Sequence, residues 1–186
     1  MKKFLLILPF LAAISCAHEN QKVALNFDLK NQNSTIGSNK GVDLEVFDDR
    51  VNKQLLGKKK FSDEEIQINA DVNLAAFLQQ KLLQNLMHRG FKNGRDKIIE
   101  VHIETMSYMA KRGFPIGVSK IDANLKVMVK DGKTGAKFTK NYGTTWDSKH
   151  FIVPLEATDA ETINALLRDV AQEIVSDDSF LESLMK

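Results

Sequence analysis

From Val23 to Leu29 every second residue is large and apolar, the pattern of a strand with one buried face. Residues 31–40 are rich in Asn, Ser and Gly and predict a loop. Alternation returns over Val42 to Phe47 and predicts a second strand. Residues 50–60 predict a linker that turns at Gly57, and Glu65 to Ile68 a short third strand. The period then changes. Leu74, Leu78, Leu82 and Leu86 recur every four residues, and Ala75, Phe77, Leu83 and Met87 widen the stripe, so a heavily covered helix is expected. Asn69 or Asp71 can cap its start. Gly90 ends it as a left-handed C-cap, where Phe91 can fold back on the last turn.

Ile99, Val101 and Ile103 oppose Glu100, His102 and Glu104, which predicts a strand with one wet face that Met106 and Tyr108 can continue. Residues 111–117 predict a loop. Leu125, Val127 and Val129 mark the next strand, Asp131-Gly132 with Gly135 a tight hairpin, and residues 136–146 the return strand. Residues 151–154 form an apolar loop closed by Pro154. Thr158-Asp159-Ala160-Glu161 has the spacing of a capping box, followed by Ile163, Leu166, Leu167, Val170, Ile174 and Val175 at helical spacing. Residues 176–178 break that helix, and Phe180, Leu181, Leu184 and Met185 predict a short last one. The order β-β-β-α-β-β-β-α-α predicts an α+β fold, with a mostly antiparallel sheet, two main helices packed on one face and a short C-terminal helix.

The N-terminus carries a different signal. Two lysines, an apolar run from Phe4 to Ile14 and Ser15-Cys16 have the order of a bacterial lipoprotein signal. Eleven residues rise only ~16 Å as a helix, about half a bilayer core, so the run is too short to span. Leu11-Ala12-Ala13-Ile14-Ser15-Cys16 reads as a lipobox, with Cys16 as the lipidation site and the new N-terminus. Ala17, not Asp, follows it, which predicts export to the outer membrane, facing the periplasm. The expected organisation is a signal peptide over 1–15, a lipidated tether over 16–22 and one α+β periplasmic domain over 23–186.

Charge narrows the function classes. Residues 1–15 hold two lysines and no acids, so their removal leaves 24 basic and 24 acidic residues. A neutral chain has no broad electrostatic claim on nucleic acid. Lys58-Lys59-Lys60 is the longest basic run and reads as a solvated turn. Cys16 is the sole cysteine, so the fold stands without disulfides.

His18, His88, His102 and His150 show no close ligand pairing, and neither a metal site nor a cofactor is expected. Asp147-Ser148-Lys149-His150 places Ser, His and Asp consecutively, whereas a hydrolytic triad converges from separate elements. No catalytic residues are expected. Asp48, Asp49 and Arg50 fit an Asp–Arg pair or Asp turn that pins a strand end, with a charged recognition spot as the alternative. Phe114 and Ile116 at one loop tip, with Phe151 and Ile152 at another, are large apolar residues where polar ones are usual. They are either tucked under the sheet edge or offered to a partner, and are the candidate partner contacts.

Several motifs together resemble a known family. Val42-Asp43-Leu44-Glu45-Val46-Phe47-Asp48-Asp49-Arg50 with Leu56-Gly57 is similar to the strand-Asp-x-Arg-turn-Gly signature of the YajG family of bacterial lipoproteins. Gly90-Phe91, Thr139-Lys140-Asn141-Tyr142 and the closing Asp178-Ser179-Phe180-Leu181-Glu182-Ser183-Leu184 resemble it in the same order. The resemblance implies a small α+β domain on a lipid anchor and brings no catalytic or cofactor residues.

The expected function is a non-catalytic binding or assembly module, anchored by lipid on Cys16 and docked onto an envelope protein complex. The alternative is a carrier of a lipid or other apolar small molecule, held between sheet and helices.

Overall fold

The computed structural model describes residues 20–31, 35–61, 64–111, 113, 115–151 and 156–186. In chain order the elements are β1 (Gln21–Val23), β2 (Gly41–Asp48), β3 (Leu55–Phe61), β4 (Glu64–Ala70), α1 (Leu74–His88), β5 (Lys92–Asn93), β6 (Lys97–Lys111), β7 (Gly117–Asp131), β8 (Lys137–His150), α2 (Glu156–Ser176) and α3 (Asp178–Met185). β6 pairs antiparallel with β7 along its whole length, and β8 pairs with the far edge of β7. The other edge of β6 is shared. β2 runs parallel to its first half, from Lys97 to Ile103, and β3 runs parallel to its last turn of strand, from Tyr108 to Lys111. A bulge in β6 between Ile103 and Thr105 marks the junction.

The sheet is therefore mixed and curls into a half-barrel. Among the described residues four of the seven strand pairings are parallel, so the expected mostly antiparallel sheet is corrected. The physical reason lies in the crossover. Parallel neighbours need a long connection, and β4 with α1 supplies it between β3 and β6. Only the β3–β4, β6–β7 and β7–β8 hairpins keep antiparallel pairing. The α+β class, with α1, α2 and α3 against the sheet, is as expected.

The core lies between sheet and helices. Leu78, Leu82 and Leu86 of α1, Ile99, Val101 and Ile103 of β6, and Ile163, Leu166 and Val170 of α2 are all buried. Asn73 caps α1 through its side chain, which accepts from the Ala76 amide; Asn69 and Asp71 do not. Gly90 has φ 87°, Phe91 donates to the Leu86 carbonyl, and its ring is buried, completing the expected C-cap.

Three expectations change. Of the first alternating stretch only Val23 joins the sheet, as the last residue of β1. Residues 24–30 stay extended with Leu25, Phe27 and Leu29 buried, but their backbone is held by helix side chains. Asn164 donates to the Ala24 carbonyl and accepts from the Asn26 amide, Gln172 accepts from Lys30, and Asn85 donates back to the Lys30 carbonyl. The linker over 50–60 contains β3, and Gly57 is a close approach rather than a turn: a Cβ there would lie 2.1 Å from the Tyr108 carbonyl oxygen. α2 begins at Glu156, so Thr158 sits inside the helix and is no N-cap.

Candidate functional site

Three clusters of polar side chains lie where the sequence placed chemistry or missed it. The first is buried beneath the first turn of α2. Asp159 is fully buried there and accepts a 2.5 Å hydrogen bond from the Tyr108 hydroxyl of β6. Its second oxygen meets the ammonium of Lys59 from β3, an ion pair rather than an aligned hydrogen bond. Burial, and then the neighbouring Asp159 carboxylate, push the Tyr108 phenol far above its ordinary range, against an opposing hydrogen bond from Ser119. A carboxylate in a helix first turn is favoured by the dipole, and the cation offsets its desolvation. The cluster ties three elements together. Sequence reading missed it because its members are separated by tens of residues: Lys59 hid in a lysine run and Asp159 in an apparent capping box.

The second cluster joins β8 to the α2–α3 junction. Buried Tyr142 donates to Asp177, which also takes Lys140 at 3.0 Å and caps α3 by accepting from the Ser179 amide. Burial pushes the Asp177 carboxyl up, but the hydrogen bonds from Tyr142, Ser179 and Lys140 outweigh it and hold the group well below the usual carboxylate range.

The third surrounds the β2–β3 turn. Arg50 grips both carboxylate oxygens of Asp48, at 2.8 and 2.7 Å, and reaches the carbonyls of Lys53 and Leu55. The pair is buried and closes the turn, the strand-pinning role expected for Asp48 and Arg50. Asp49 instead faces outward and meets His102 Nδ1 at 2.8 Å. The His102 ring stacks on half-exposed Phe47, centroids 5.0 Å apart, and its Nε2 is enclosed without a partner.

Of the expected contact residues, Ile116 and Phe151 fall at one end of the sheet. Cys16, Phe114 and Ile152 lie outside the described residues. Ile116 is 43% exposed and Phe151 83%. Pairing of Gly117 with His150 brings these two loop ends side by side, although 35 residues separate them in sequence. Met109 and Val118, both exposed on the outer sheet face nearby, were not anticipated. Their signal was an apolar residue on the wet side of an alternating strand.

Among the described residues no group of His, Cys, Asp and Glu could hold a metal ion, and no helix is long and apolar enough to cross a membrane. The grooves are open. One of 480 Å³ runs beside residues 24–28, with Asn26, Asp28, Asn164 and Arg168 interspersed with Phe27 and alanines in its walls.

Comparison with known proteins yields a family and a fold. Residues 28–185 match the family described as uncharacterized lipoprotein, the YajG family of the sequence resemblance. None of the curated proteins matches the chain. Among solved structures, protein XCC0632 from Xanthomonas campestris is similar at 10% identity, with 88% of this chain and 96% of that one covered and a TM-score of 0.60. The hypothetical protein CT253 from Chlamydia trachomatis is similar at 12% identity, covering 74% and 98%, with a TM-score of 0.34. A PelC dodecamer from Paraburkholderia phytofirmans is similar at 10% identity, covering 77% and 91%, with a TM-score of 0.34.

Proposed function

The chain belongs to the YajG family of uncharacterized lipoproteins, and from that premise we propose that it is a non-catalytic docking module, anchored by lipid on Cys16 to the outer membrane and facing the periplasm. Its partner is an envelope protein complex. One observation carries this reading. The Tyr108–Asp159, Tyr142–Asp177 and Asp48–Arg50 clusters are engaged in holding the fold together, whereas several large apolar side chains are turned outward on strands and turns. Phe47, stacked on His102 near the end of β2, and fully exposed Val51 flank the Asp48–Arg50 pair that makes the β2–β3 turn rigid. Apolar residues on a rigid scaffold suit a protein contact. The groove along residues 24–28 is open to solvent and sets Asp28, Glu161 and Arg168 among its apolar walls, which weighs against the alternative of a lipid carrier.

The test is site-specific photo-crosslinking in cells at positions 47 and 51, followed by recovery of the native lipoprotein from membranes. A discrete crosslinked envelope protein at these positions supports the proposal. Recovery of monomer alone from both positions counts decisively against it.

A further inference from the structure

We infer that the end of the sheet carrying Ile116 and Phe151 rests on the lipid surface, with its lysines on anionic headgroups and its apolar side chains in the interface. The inference rests on the proposed acylation of Cys16, and the reach of the tether decides the orientation.

β1 is the first strand after that tether. It runs parallel to β4, and Gln21 pairs with Ile68, which pairs with Gly57, which pairs with Tyr108. Gln21 is thus level with Tyr108, three residues from the Lys111 end of β6 and eleven from the Lys97 end. At strand spacing these are about 10 Å and about 36 Å. Cys16 precedes Gln21 by five residues, which span at most about 17 Å when fully extended. A lipid on Cys16 can therefore bring the Lys111 end to a bilayer but cannot bring the Lys97 end there. Chain direction agrees: β4 enters the sheet from this same end, at Glu64, and β1 runs alongside it.

The chemistry of that end fits a lipid surface. Met109 and Val118 are exposed on the outer face, and Ile116 and Phe151 stand at the strand ends beside them. Lys60, Lys111 and Lys149 are exposed on the same face, in one cross-strand row with Val118 over β3, β6, β7 and β8, and exposed Lys120 lies two residues along β7, opposite Met109. Among the described residues the nearby acids include Glu64, Glu65, which pairs with Lys58, Asp147 opposite Lys120, and Glu156 at the start of α2, whose carbonyl accepts from Gln21. Large apolar residues ringed by lysines suit an interface with anionic headgroups. A tethered domain also meets the surface at high effective concentration, so weak individual contacts suffice.

The experiment uses the full acylated lipoprotein in vesicles of phosphatidylethanolamine and phosphatidylglycerol that carry a doxyl-labelled lipid. Acylation occupies the only native thiol, so Ile116→Cys, Phe151→Cys, Val51→Cys and Lys133→Cys each accept one environment-sensitive fluorophore. Loss of most emission at 116 and 151, with none at 51 and 133, is the expected result. Equal quenching at all four positions, or none at 116 and 151 in protein that floats with the vesicles, overturns the rim assignment alone. Protein that does not float and shows a reactive Cys16 thiol overturns the anchor, and the rim assignment with it. Exchanging phosphatidylglycerol for phosphatidylcholine is expected to weaken quenching at 116 and 151; unchanged quenching overturns the role given to the lysines.

Discussion

Tyr108 and Asp159 stand 51 residues apart in sequence and 2.5 Å apart across a buried hydrogen bond, with Lys59 on the other carboxylate oxygen. The strand that shapes the sheet, the first turn of α2 and the strand at the β6 edge meet at this carboxylate. Asp159→Ala takes the carboxylate away from both the buried Lys59 ammonium and the Tyr108 hydroxyl and is expected to destabilise by about 3–5 kcal/mol in urea unfolding. The double replacement Lys59→Met with Asp159→Leu removes both charges together and is expected to lose less than the single variant. A double variant less stable than the single would show that the ion pair is not the cause.

Leu78 and Leu166 test the helix faces. Both are fully buried, one on α1 and one on α2. Each truncation to Ala is expected to destabilise by about 2–5 kcal/mol, the range for core leucines that leave a cavity. Denaturant midpoints close to the parent for both would mean the faces are reversed.

Asn164 tests the extended segment. Its amide group satisfies both the Ala24 carbonyl and the Asn26 amide. Asn164→Ala is expected to cost about 1–3 kcal/mol and to speed hydrogen exchange at Asn26, since neither backbone group has a neighbouring strand. Exchange at Asn26 as slow as in the parent would assign the ordering of residues 24–28 to apolar packing alone.

Acid and base limbs have separate origins. Lys97 first, then Thr134 and the Lys133 amide, hold the Asp131 carboxyl well below its ordinary range, as the Tyr142 cluster does for Asp177. Such groups stabilise the fold above their unfolded value near ~4, and the contribution is lost as pH falls through the folded value. Tyr108 and Tyr142 are displaced the other way, by burial and by their aspartate partners. Phenols raised in the fold stabilise it below their unfolded value near ~10 and lose that contribution as pH rises. The melting temperature is expected to be flat between these limits and to fall on both sides. Asp177→Asn should flatten the acid limb, and a limb of unchanged slope would remove Asp177 from the explanation.

Cys16→Ser is expected to leave an uncleaved, unacylated precursor, read by intact mass and by flotation. A variant still processed after residue 15 and still floating with outer membranes would falsify the anchor.

Local chemistry made much of this molecule legible from its sequence. The leucine stripe of α1, the Gly90-Phe91 cap, the alternation of β2, β6 and β7 and the Asp131 turn each depend on residues a few positions apart. So does the Asp48–Arg50 pair, two residues apart. The family resemblance was legible for the same reason, because its motifs are short. Only the tertiary structure decided what depends on distant chain. Strand direction was hidden because alternation is the same for parallel and antiparallel neighbours. β3 was hidden because Lys58 and Lys60 face outward while Lys59, between them, is buried against an aspartate 100 residues on. The extended segment after β1 kept its alternation but lost its sheet, because helix amides took the place of a neighbouring strand. Ile116 and Phe151 were readable as exposed apolar residues one at a time. Their meeting at one end, and the arrival of β1 from that end, follow from strand register, which no local pattern encodes.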